Sequence, residues 1–138
     1  MEGYLKKKEV PAALSAATIS TALFLDKPEM RPNSANKFFD SMAASKPIMI
    51  NYGGWMHELV QSHDCGLAMW GMSFSEVAKE LDEKVHNNEW LQRASKASSL
   101  LAEKHFDRNI LASQLLEVIG CTAQGQSDKA EIIAPGIY

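Results

Sequence analysis

The chain has 138 residues, enough for one domain with a packed core and too few for two full-sized ones. Hydrophobic residues make up 46% and charged residues 22%, with 14 basic against 17 acidic side chains, the balance of an ordinary soluble globular protein. That balance excludes a strongly basic nucleic-acid binder, and the one basic cluster, Lys6, Lys7 and Lys8, reads as a solvated helix entrance.

Residues 9–17 (EVPAALSAA) predict a short helix with proline in its first turn, where a missing N–H is harmless. Thr18 to Leu25 is rich in β-branched and apolar residues and stops at Asp26-Lys27-Pro28, the signature of a buried strand followed by a loop. From Asn33, the residues Ala35, Phe38, Phe39, Met42 and Ala43 recur at helical spacing, and Pro47 closes that helix. Ile48 to Tyr52 is a short apolar run ended by Gly53-Gly54, Trp55 to His63 is helix-like, and Cys65 to Trp70 is a third apolar segment. Strands joined through helices in such short connections imply parallel pairing. The expected fold class is therefore α/β: a partial Rossmann-like layout of about three parallel strands with flanking helices and a helical C-terminal part.

Ser73 and Glu76 form a capping-box signature ahead of Phe74, Val77, Ala78, Leu81 and Val85. Asn88 is expected to cap a helix carrying Trp90, Leu91, Ala94 and Leu101. Asp107 is expected to cap another, carrying Ile110, Leu111, Leu115 and Val118, which Gly120 stops. The division expected is one α/β half-domain over 1–120 and a tail over 121–138 that ends in the apolar IIAPGIY. Cys65 and Cys121 show no metal-ligand spacing, so reduced thiols and no metal are expected. No run of about 18 uncharged apolar residues and no signal-like stretch is present, which points to a cytoplasmic protein without a transmembrane segment.

The stretch NSANKFFDSMAASKPIMINYGG, residues 33–54, carries the chemistry. On a helix starting near Asn33, the residues Asn33, Asn36, Lys37 and Asp40 share one face, opposite the phenylalanines. The free amides of a first helical turn, its dipole and Lys37 suit an anion such as a phosphate, and Asp40 can accept from a sugar diol. Gly53 and Gly54 follow a parallel strand, where open α/β sheets bind ligands. The plainer reading, a wet helix face and an ordinary turn, stands beside this one. His57, His63, His86 and His105 come with no nucleophile or ligand set, so no catalytic residue is assigned. Trp55, Trp70 and Trp90 read as core or interface anchors.

Residues 9–119 resemble the second half of the C-terminal, nucleotide-sugar-binding domain of GT-B glycosyltransferases of family 4. The likeness is to bacterial enzymes of surface-polysaccharide assembly, with patterns such as NSANKFFDYLAAGKPVIINYGGW. The matching residues run from Asn33 to Asp40, then Ala43, Ala44, Lys46, Pro47 and Asn51 to Trp55, with Glu58 and Gly66-Leu67 beyond. The resemblance implies that Asp40 holds the donor ribose. It also implies that Asn33, Ser34 and Lys37 take the place of donor diphosphate contacts, and that the Gly53-Gly54 turn lines the same cleft. Two departures stand out: the family's partner glutamate, eight residues before Asp40, is Pro32 here, and Ser45 replaces a common glycine.

The resemblance further implies that the first half of the donor domain and the whole acceptor domain are not in this sequence. The expected function is thus a partial glycosyltransferase: a donor-binding segment for a nucleotide-diphosphate sugar, inactive alone, with no separate cofactor. The alternative is a non-catalytic, oligomeric interaction module derived from that fold. The strand at 18–25, central in the parent topology, would become an edge and recruit a second copy, or be covered by the N-terminal helix or the tail. A third reading, a small flavin- or phosphate-binding Rossmann-like protein, lacks the GxGxxG pattern.

Overall fold

The structure is a computed structural model describing residues 5–25, 27–126 and 128–129. Asp26 and the apolar C-terminal IIAPGIY lie outside the described residues. After a 3-10 turn at Lys7–Glu9 come α1 (Val10–Ala16), β1 (Ser20–Ala22), a second 3-10 turn (Pro28–Met30), α2 (Asn36–Ala43), β2 (Ile48–Ile50), α3 (Trp55–His63) and β3 (Gly66–Ala68). Three longer helices follow: α4 (Phe74–Val85), α5 (Asn88–His105) and α6 (Arg108–Ala123). The strands form one parallel sheet in the order β1-β2-β3, with Ser20 opposite Ile48 and Ile48 opposite Gly66, the expected α/β layout.

Alternation along the strands divides the core between the two faces of the sheet. Ala22, Ile48 and Ile50 pack with Phe38 and Met42 of α2 and Met56, Leu59 and Val60 of α3. Leu67 and, at its margin, Met49 pack with Trp90 and Ala94. The long α5 reaches both clusters, giving Trp90 and Ala94 to one and Leu101 to the other. Every buried side-chain polar atom among the described residues has a partner. Ser41, fully buried on α2, donates to the Lys37 carbonyl at 2.6 Å and lies 2.7 Å from Ser20 Oγ, which therefore donates to it. Burial pushes the Tyr52 phenol and the Cys65 thiol up to about 12 each, so both stay neutral inside the fold.

Asn51 lies one residue past the last ladder pair and extends it through its side chain. Its Oδ1 accepts from the Phe24 N–H and its Nδ2 donates to the Phe24 carbonyl, both at 2.9 Å, as a neighbouring strand would. This clamp fixes the end of β1 and directs the loop that leads to α2. The aromatic ring of Phe24 then meets Tyr52 edge to face, 5.1 Å between centroids.

Several boundaries differ from expectation. Helix α2 begins at Asn36, not Asn33: the Asn33 N–H is taken by the Met30 carbonyl in a turn, and Ala35, in extended conformation, is the N-cap. Asn87 rather than Asn88 caps α5, accepting from Trp90 N–H at 2.9 Å. Asp107 caps α6 as expected, but the helix runs through Gly120 to Ala123. Phe74, grouped with Val77, Ala78, Leu81 and Val85 on α4, is 96% exposed because it occupies the first turn, ahead of the residues that pack on α5. Among the described residues no helix is long and apolar enough to cross a membrane.

Candidate functional site

Helices α2 and α3 both start at the C-terminal edge of the sheet, because each returns the chain from the end of one parallel strand to the beginning of the next. A groove of about 540 Å³ opens between these helix starts and the corner joining α5 to α6. Ser34, Asn36 and Asp40 line it from the α2 side. Its apolar wall is a set of touching rings: Phe39 lies 5.0 Å from Phe106 and 6.2 Å from Trp55, centroid to centroid, and Trp55 6.4 Å from Phe106. Lys7, His105 and Arg108 complete the lining with Leu111. Buried Phe38 supports Trp55 from beneath at 6.0 Å, so the wall is anchored in the core.

The six residues singled out in the sequence therefore separate into four places. Ser34 and Asp40 share this groove, both exposed and available to a ligand. Lys37 lines a second, shallower groove of about 350 Å³ beside α1 and β1, which it shares with Asp40. The reason is the helical turn: Lys37 follows Asn36 by about 100° around α2 and faces Ser20 and Thr21, while Asp40 falls between the two and lines both grooves. Asn33 sits half-buried in the turn before the helix and lines neither groove.

The paired glycines lie apart from both grooves and serve packing. The Trp70 indole covers Gly53 so closely that a Cβ there would stand 2.8 Å from the ring. Gly54 has φ 105°, a conformation open to glycine, and a Cβ on it would overlap the Arg31 carbonyl. The Arg31 guanidinium covers the other part of the stack, 4.9 Å from the Trp70 ring centre, and His57 meets that ring edge-on at 5.8 Å. Burial lowers the pKa of His57, against the opposing pull of Glu58. The expected open cleft at the diglycine turn is thus filled by the protein's own side chains.

Sequence reasoning missed the cationic side of the groove. Lys7 was read as solubilising and Arg108 was not singled out, since no spacing connects positions near 7, 36–40 and 105–108. The one available signal was the aromatic spacing of Phe39, Trp55 and Phe106, too dispersed to read as a wall. No family model, curated protein or solved structure matches this chain.

Proposed function

We propose that this chain is the donor-binding segment of a nucleotide-sugar glycosyltransferase of surface-polysaccharide synthesis, without transfer activity by itself. The observation that carries the reading is the convergence of Ser34, Asn36 and Asp40 with Trp55 on one groove at the C-terminal edge of a parallel sheet. These are residues of the very stretch that resembles the donor site of the family. Asp40 accepts from the ribose hydroxyls, and Ser34 and Asn36 donate to the ligand's oxygens. Sugar transfer needs an acceptor oriented against the donor and a stabilised leaving diphosphate, and binding the donor supplies only part of this. Calorimetric titration with UDP and other nucleoside diphosphates tests it. Binding that Asp40→Asn weakens about tenfold is expected, the loss of one charge-assisted hydrogen bond. An intact fold with no binding at millimolar nucleotide overturns it.

A specific observation supports a second reading, an oligomeric interaction module. Among the described residues α6 buries none of its side chains, and Leu111, Leu115 and Ile119 are 43%, 59% and 55% exposed. Spaced by four, they form a stripe symmetric about Leu115, so a two-fold axis there sets Leu111 of one copy against Ile119 of the other. Antiparallel pairing also brings Arg108 of each copy to the negative end of its partner's helix. The occupant this favours is a second copy of the chain.

A further inference from the structure

We infer that the anionic end of the groove's ligand is held by Lys7, His105 and Arg108, and that its flat end lies against Phe39, Trp55 and Phe106. The inference rests on the donor-binding reading and supplies what that reading lacks, a cation for the diphosphate. Lys37, the cation expected there, faces the other groove. The three basic side chains come from three separate places: the first 3-10 turn, the last residue of α5 and the first residue of α6. Among the described residues no ion pair engages any of them, whereas Lys79, Lys84, His86 and Arg93 all have carboxylate partners. The charges of Lys7 and Arg108 are left facing the same lined space, with the His105 ring beside them. Asp40 is the one carboxylate on that lining, and it would repel an anion placed beside it. A ligand with an anion at one end and hydroxyls near Asp40 satisfies both ends.

The ring wall explains why the partner is more than a free phosphate. Phe39, Trp55 and Phe106 are locked in mutual contact, so a planar apolar group stacks on them with little reordering. Arg108 matches a phosphate's paired oxygens bidentately, while Lys7 contributes a point charge on a flexible stem. A nucleoside diphosphate carries both chemistries, and uridine carries only the planar one.

The test is calorimetry with UDP, inorganic pyrophosphate and uridine on the full chain and on Lys7→Gln, Arg108→Gln and their double variant. All of these substitutions fall on exposed residues, and an unchanged urea midpoint verifies the fold. The expected result is UDP and pyrophosphate binding reduced at least tenfold per lost cation, with a shallower salt dependence and uridine binding unaltered. UDP bound equally by the wild type and the double variant overturns this assignment and leaves the donor reading standing. Pyrophosphate binding lost in the double variant, with no preference for UDP over pyrophosphate, keeps the cationic site and overturns the donor reading. No binding of either anion by the wild type overturns both.

Discussion

Ser45 holds a backbone conformation that side chains rarely adopt, with φ 56°. It is the residue just past the α2 cap: its N–H donates to Met42 O and the Lys46 N–H donates to Ser41 O, both at 2.9 Å, the bond pair that ends a helix with a left-handed residue. A side chain at this position therefore has a backbone cost. Ser45→Gly is expected to stabilise the fold by about 0.5 kcal/mol, relief of the left-handed strain less the extra freedom of glycine in the unfolded chain. Urea unfolding at constant m-value reads it, and a lowered midpoint would contradict it. Asp64, the other left-handed non-glycine residue among the described residues, at φ 47°, has a different role. Its Oδ1 accepts from Trp90 Nε1 at 2.8 Å and lies 3.8 Å from Lys84 Nζ, so the side chain joins α3, α4 and α5. The glycine positions were visible in sequence as turn signals, but the ring over Gly53 and the carbonyl against Gly54 were not, because Trp70 and Arg31 are distant in sequence.

At the level of elements, the end of β1 is held by Asn51 rather than by further strand. Removing that amide leaves the Phe24 N–H and carbonyl without partners in a half-buried position. Asn51→Ala is expected to cost about 2 kcal/mol, on the basis of two lost hydrogen bonds at about 1 kcal/mol each. Chemical denaturation measures this, and amide exchange at Phe24 should speed up by a similar factor; a change under a few tenths of a kcal/mol would show that the clamp contributes little. Helix and strand existence was legible for all three strands and for α1 to α3, since apolar runs bounded by Pro, Gly and Asp have few other readings. Boundaries and faces were less so. Asn33 begins a pattern that looks helical, yet its N–H is already committed to Met30 by the preceding 3-10 turn, and that three-residue delay leaves Asn33 outside α2 and off the groove lining. On α6 the sequence singles out Ile110, Leu111, Leu115 and Val118, and the described residues leave Ile110, Leu111 and Leu115 exposed. Its apolar arc is too wide for periodicity to tell burial against the domain from burial against something else.

For the molecule as a whole, an exposed apolar helix and a strand edge left unpaired among the described residues carry the same implication. Strand β1 pairs with β2 on one side, and just beyond it Leu23 and Leu25 are 51% and 73% exposed. Stable association generally removes about 800 Å² from each partner, and α6 supplies a contiguous stripe toward that area. Light scattering at high protein concentration should therefore give a dimer mass, which Leu115→Glu reduces to the monomer with unchanged helix content. A wild-type monomer under those conditions would remove the second reading while leaving the ligand groove untouched, since Leu115 does not line it.

The sequence by itself determined the α/β class, the parallel pairing of short strands and, of the polar set Asn33, Asn36, Lys37 and Asp40, the exposure of Asn36 and Asp40 on one helix; Ser34 entered only through the family resemblance. The first three follow from local pattern: a two- or four-residue period and the nearest proline or glycine fix them without help from the rest of the chain. Only the tertiary structure decided that Lys37 leaves this set, that Trp70 closes the diglycine turn, and that Lys7, His105 and Arg108 meet around three aromatic rings. Those outcomes depend on which distant segments share space, and no period within one segment encodes that.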